Sequence, residues 1–154
     1  MIDDRKYNIS IVSDSDPDRD VLLSKLQAFN ASKGVAPAVP FLIKIHASNK
    51  ELIAGIAGRS LADWMLLELL WVDTVYRGCG LGQKLLKLAE REAKQRKCIG
   101  MLLDTFDFQA PLLYPKLGYQ CLYTVDDHPS GHKRLFFQKV FPAAGGRARV
   151  DSSN

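Results

Sequence analysis

Cysteine is scarce and carries no pairing pattern. Cys79, Cys98 and Cys121 are the three in 154 residues, an odd number without CxxC spacing. That argues against a disulfide framework and leaves a cysteine zinc site without a ligand pattern. No apolar run approaches the ~20 residues that cross a bilayer. The N-terminus, Met1-Ile2-Asp3-Asp4-Arg5-Lys6, contains acids and lacks the apolar stretch of a secretory signal. The expected compartment is therefore the cytoplasm, with no membrane partner. There is also no long lysine and arginine run to mark a nucleic-acid arm. Without such a run nucleic acid is not expected as a partner; the formal net charge of +4 decides nothing, since it suits a small anionic ligand as well as a polymer or chance.

What is present is an ordinary globular composition, 47% hydrophobic and 25% charged, in a chain long enough to bury ~70% of its unfolded surface. One domain over 1–141 is expected, followed by a disordered tail over 142–154, which opens Pro-Ala-Ala-Gly-Gly. Tyr7 to Val12 alternates as a half-buried strand does. Ser13-Asp14-Ser15-Asp16-Pro17 supplies capping side chains and a first-turn proline for a helix from Asp18 to about Gly34. Phe41–Ala47, Leu52–Gly58 and Trp64–Val72 read as strands joined by two hairpins at Asn49-Lys50 and Ala62-Asp63. The third of these is apolar except for Glu68, as a central strand covered on both faces would be.

A long helix follows, with Leu81, Leu85, Leu86, Leu88, Ala89 and Ala93 on one face and charges on the other. Cys98–Leu103 reads as another buried strand. Gln109–Leu117 reads as a short helix closed by Gly118, and Tyr119–Val125 and Arg134–Val140 as final strands. The order β-α-β-β-β-α-β-α-β-β specifies an α/β domain with a mixed sheet and at least one parallel crossover.

The central strand runs into Arg77-Gly78-Cys79-Gly80-Leu81-Gly82 and then into the long helix. Alternate glycines permit close backbone approach and positive φ. The helix N-terminus offers free N–H groups and partial positive charge, and Arg77 adds a guanidinium suited to phosphate oxygens. A dinucleotide fingerprint fails, because G-x-G-x-x-G counted from Gly78 or Gly80 ends on Gln83 or Leu85. A triphosphate P-loop fails on the spacing before Lys84-Leu85. A tight packing turn remains the plain alternative.

Arg77 to Gly82 resembles the R/Q-x-x-G-x-G/A signature of the GNAT superfamily of N-acetyltransferases. The resemblance continues through Leu69–Asp73, Leu103–Phe106, Phe108–Pro111, Leu113–Tyr119 and Asp127–His132, spanning roughly Trp64 to Lys139. It is similar to a mostly uncharacterised bacterial subgroup, and implies a GNAT-like, mostly antiparallel mixed sheet with a splayed centre. Acetyl-CoA is the implied co-substrate, with no metal. The pantetheine arm would pair with the backbone of Leu70, Trp71 and Val72, in an opening between that strand and Cys98–Leu103. The pyrophosphate would bind Arg77, Gly78, Cys79, Gly80, Leu81 and Gly82 through main-chain N–H groups.

The implied activity is direct transfer of an acetyl group to an amine in a ternary complex. The alternative is a catalytically weak acyl-CoA-binding sensor or interaction module. Tyr114 matches the general acid that protonates the departing thiolate, although Leu113 stands where Phe is common and Pro115 follows the tyrosine. Otherwise Tyr114 is an amphipathic core residue. A helix beginning near Pro111 or Leu112 would place Pro115 harmlessly in its first turn. A lysine-like amine has a pKa of ~10.4 and must lose a proton before it attacks. Glu68 is the candidate base, with a histidine of 126–132 as the other choice. Metal ligation by that segment is the weaker reading against a decorated Pro-Gly turn. Asp104 and Gln109 order the cleft or cap the short helix, and Cys79 is a small filler rather than a covalent acetyl carrier. The acceptor is a small-molecule or protein amine, and homodimers are common in the family.

Overall fold

A computed structural model describes residues 8–142. The chain divides into two compact units, Met1–Pro37 and Ala38–Asn154. The first holds helix α1, Asp18–Ser32. Its start follows from local chemistry. Asp16 Oδ1 accepts the Asp18 N–H at 2.9 Å, Pro17 already has helical φ, and Asp18 and Asp20 place negative charge on the positive end of the dipole. Gly34, at φ +79°, follows the last turn. The expected strand over Tyr7–Val12 does not form: Asn8–Val12 has no regular structure, and Tyr7 lies outside the described residues. Alternation is a local signal, and a strand persists only where a neighbour takes up its N–H and C=O groups. Of the expected tail, residues 143–154 lie outside the described residues.

The second unit is a six-stranded sheet in the order β1-β2-β3-β4-β6-β5. Its strands are β1 (Val39–His46), β2 (Leu52–Leu61), β3 (Trp64–Val72), β4 (Gly100–Phe106), β5 (Gln120–Asp126) and β6 (Lys133–Val140). Helix α2 (Leu81–Gln95) links β3 to β4, and a single turn, α3 (Leu113–Lys116), links β4 to β5. All strand pairs are antiparallel except β3–β4, which the helical crossover makes parallel. From α1 onward the order agrees with the sequence reading, and the fold is the expected mixed α/β sheet with a splayed centre.

The splay decides where a ligand can go. β3 and β4 pair at Trp64↔Gly100, Met65↔Met101 and Leu66↔Leu102, and no further. Beyond Leu102, β4 follows β6 as far as Phe106↔Arg134, while β3 follows β2 as far as Val72↔Ala54. The two central strands therefore part into a V. A bulge accompanies the parting: Leu67 faces Gly58 and Leu69 faces Ala57, so Glu68 is an extra residue with no partner on β2. Gly58 is needed there, because a Cβ would lie 2.1 Å from the Leu66 carbonyl oxygen. Gly58→Ala is expected to cost about 2 kcal/mol by overpacking, read as a lower urea midpoint.

The core lies between α2 and one face of the sheet. Leu85, Leu86, Ala89 and Ala93 of α2 are fully buried against Ala54, Ile56, Met65, Met101 and Phe137, at the 3–4 residue spacing of an amphipathic helix. Two cationic side chains fix the frame. Arg96, just past α2, donates to the Val39 and Pro40 carbonyls at 2.7 and 3.2 Å. Lys139 Nζ donates to Glu90 Oε1 at 2.8 Å and to Leu117 O at 2.7 Å, giving the buried Glu90 a partner.

The expected helix over Gln109–Leu117 is shorter than its sequence pattern. Gln109 instead caps the end of β4, its Oε1 accepting from Phe106 N–H and Thr105 Oγ1, both at 2.9 Å. Leu112 is the N-cap of α3, which places Pro115 in the first turn, where its missing N–H removes no helical bond.

Candidate active site

The loop after β3 starts with a 3-10 turn, Thr74–Tyr76, capped by Asp73 Oδ1 accepting the Val75 N–H. Gly78 and Gly80 then take φ +78° and +80°, which turns the chain into α2 with its N–H groups outward. Gly80 is the N-cap of α2, no side chain caps that end, and its first turn contains no acid. This differs from α1, whose first turn is acidic. The positive end of α2 is therefore left to be met by an anion from outside. Gly82 sits deeper, where a Cβ would come within 3.4 Å of Leu113 Cδ2 and 4.0 Å of Val72 Cγ2. The loop, the end of β3 and the start of α3 thus meet at one point.

Arg77 Nε donates to the Val72 carbonyl at 3.0 Å. Part of this guanidinium is therefore spent on the strand it follows, rather than standing wholly free for phosphate as the sequence suggests. Cys79 is exposed, its Sγ 3.8 Å from the Arg77 carbonyl.

The last residues of β3 line the V with backbone. Asp73 donates its N–H to Ile53 O, toward β2, at 2.8 Å. Successive residues of a strand point their peptide groups to opposite sides. Val72 and Leu70 therefore turn theirs to the open edge, whereas Trp71 turns its own toward β2. Of the three residues expected to pair with a ligand, two face the gap with backbone groups.

A cleft of about 710 Å³ occupies the V. Its lining comes from both faces of the sheet: Leu67, Leu103 and Phe137 from the core face, and Leu66, Leu102, Asp104, Phe106, Arg134 and Phe136 from the open face. Because β3 and β4 have separated, the cleft reaches between them as far as the buried Leu103 and Phe137. Glu68 is on its wall, half-exposed, in an ion pair with Arg59. On the opposite wall Arg134 Nε donates to Asp104 Oδ2 at 2.6 Å, which holds the guanidinium in its charged form even above its usual range.

Tyr114 lies on the α2 side, buried in the core, with its ring centroid 5.4 Å from that of Phe137 and 5.9 Å from that of Tyr119. It does not line the cleft. Burial pushes its phenol up, the Thr105 hydroxyl offsets part of the rise, and the Asp104 carboxylate adds to it. Tyr119 is raised further, by burial first and then by the charge of Glu90. A buried phenol raised above its unfolded value stabilises the fold below the ordinary tyrosine pKa, and that contribution is lost as pH climbs through the folded value. The urea midpoint is therefore expected to fall from about pH 9 to about pH 11, with a flatter fall in Tyr119→Phe.

The 126–132 segment closes one end of β6. His132 Nδ1 is 3.1 Å from Asp107 Oδ1, His128 Nε2 is 3.1 Å from Arg134 Nη1, and Asp127 Oδ1 accepts the Gly131 N–H at 2.7 Å. Neither histidine lines the cleft. Among the described residues no cluster of three or more His, Cys, Asp or Glu is arranged to hold a metal, and no helix is long and apolar enough to cross a membrane. Sequence reasoning missed Arg59 and Arg134 as cleft residues, since only pairing across β2–β3 and β4–β6 brings them to its walls.

Comparison with known proteins agrees with this geometry. The acetyltransferase (GNAT) family model matches residues 8–119. Blasticidin-S acetyltransferase of Streptomyces morookaense is 42% identical over 82 residues, 53% of this chain and 60% of that protein, so the match spans less than two thirds of that relative. Acetyltransferase Atu2258 of Agrobacterium fabrum is 28% identical over 136 residues, 88% of this chain and 98% of its own. The crystal structure of an acetyltransferase from Bacillus cereus superposes with a TM-score of 0.79 at 29% identity, covering 89% of this chain and 99% of that one. With the family model matched over most of its length and the splayed sheet and glycine loop in place, the chain belongs to the GNAT acetyltransferase family.

Proposed function

We propose that the protein transfers an acetyl group from acetyl-CoA to an amine. The single observation that carries the reading is the V: a cleft where β3 and β4 part, with an uncapped helix N-terminus beside the far end of β3. The family uses acetyl-CoA. Its pyrophosphate would lie on the N–H groups of Gly78 to Gly82, and its pantetheine arm would run along the open edge of β3. The thioester then reaches the middle of the sheet, where the Leu70 N–H is the donor placed to polarise its carbonyl.

The acceptor comes from the other face. Its nitrogen attacks the carbonyl carbon, the C–S bond breaks, and the thiolate takes the proton of Tyr114 from the helix side. The proton shed by the amine passes to Glu68, the one of the candidate bases that lines the cleft, and thence to solvent, from which Tyr114 is reprotonated. Donor and acceptor thus enter from opposite faces.

Calorimetry with acetyl-CoA, followed by thiol release against an amine panel, tests this. The panel includes blasticidin S because of the relative named for it. Saturable binding with amine-dependent thiol release is expected. Binding without release from any amine would favour the sensor or interaction module instead.

A further inference from the structure

Resting on the acetyltransfer reading, we propose that the acceptor is an amine that also carries a carboxylate, and that Arg134 is the residue that selects it. The acceptor face of the cleft has one cation–carboxylate pair on each wall, Arg59 with Glu68 and Arg134 with Asp104. Two positive and two negative groups leave no net negative field there, so a polycation finds nothing to concentrate it. A zwitterion finds both of its partners: Glu68 at the end where the amine must meet the thioester, and a guanidinium on the wall opposite.

Arg134 is built for that task beyond holding two strands together. Its guanidinium carbon is 5.6 Å from the Phe106 ring centre and 5.2 Å from that of Phe136, and Phe136 is itself stacked on Tyr123 with centroids 4.5 Å apart. Nε is held by Asp104 at 2.6 Å and Nη1 meets His128 Nε2 at 3.1 Å. These contacts fix the plane of the fork, while among the described residues Nη2 has no protein partner. A carboxylate can accept a charge-assisted hydrogen bond from that free nitrogen, which an amide in its place could not supply as strongly. The aromatic walls limit the motion of the guanidinium and so reduce the ordering that binding requires.

The test compares matched acceptors: free amino acids, their amides, and diamines of similar length, each with saturating acetyl-CoA. The native protein should favour the acid over its amide by at least about tenfold in kcat/KM, and diamines should rank with the amides. Arg134→Gln should erase the preference while its Kd for acetyl-CoA stays unchanged. Asp104→Asn, which loosens the tether but keeps the guanidinium, should retain most of it. Equal turnover of acid and amide by the native protein, or an intact preference in Arg134→Gln, would overturn the proposal. If no amine is turned over, the acetyltransfer reading fails by itself. Calorimetric titration of CoA-loaded protein with the same pairs still decides the acceptor site: acid-selective binding lost in Arg134→Gln supports it, and no selective binding overturns it.

Discussion

Tyr114→Phe is expected to lower kcat about 100-fold, within the range for loss of a positioned general acid, while the affinity for acetyl-CoA changes less than about twofold. The ring is fixed by Tyr119 and Phe137, so phenylalanine fills the same space and only the hydroxyl is lost. The phenol has the right protonation state for the role. Burial raises it above the ordinary tyrosine value, so it retains its proton across the neutral range. A thiolate leaving into the same poorly hydrated region is correspondingly more basic than in water, which eases the transfer. No alkaline limb from Tyr114 should appear in kcat below about pH 10. A pH profile of kcat measured for both proteins checks this. An unchanged kcat across pH would make Tyr114 a core residue and move thiolate protonation to solvent.

Gly80→Val should weaken acetyl-CoA about 100-fold, by calorimetry. Gly80 holds φ +80° at the N-cap of α2, and nothing lies within 4 Å of the position its Cβ would take. The penalty is therefore conformational rather than steric. A β-branched residue strongly avoids left-handed backbone, and the peptide can escape by rotating its N–H away from the ligand. Losing one or two charge-assisted bonds to phosphate costs about 1.5–3 kcal/mol each, consistent with the expected drop. Gly34 is an internal control, since it too has φ +79° and open space around its Cβ. Gly34→Val should carry a similar backbone strain yet bind acetyl-CoA normally. Equal loss in both variants would mean that the glycine loop acts through stability alone.

Much of this site is legible in the sequence because its signals are local. The glycine loop declares its own conformation, and α2 declares its buried face through the spacing of Leu85, Leu86, Ala89 and Ala93. Pro115 points to the late start of α3, as the structure bears out. The bulge at Glu68 is not legible. Period-2 alternation vanishes when both faces of a strand are apolar, as from Trp64 to Val72, so an extra residue leaves no mark. Nor do Arg59 and Arg134 announce themselves: Arg59 falls just past the expected strand Leu52–Gly58 and Arg134 opens another, and only the observed register brings both to the cleft. Asn8–Val12 shows the converse failure, with a clean local pattern that forms no strand. Gln109 shows a third case, where a polar side chain that could begin a helix instead ends a strand.

The central claim is that acetyl-CoA lies along the open edge of β3 with its pyrophosphate on the α2 N-terminus. Amide hydrogen exchange, residue by residue, with and without acetyl-CoA, measures this most directly. Slowed exchange is expected at Gly78 to Gly82 and at Leu70, whose N–H faces the V, with little change at Trp71, already turned toward β2. Protection confined to the 126–132 segment, or no protection in the loop at saturating ligand, would contradict it.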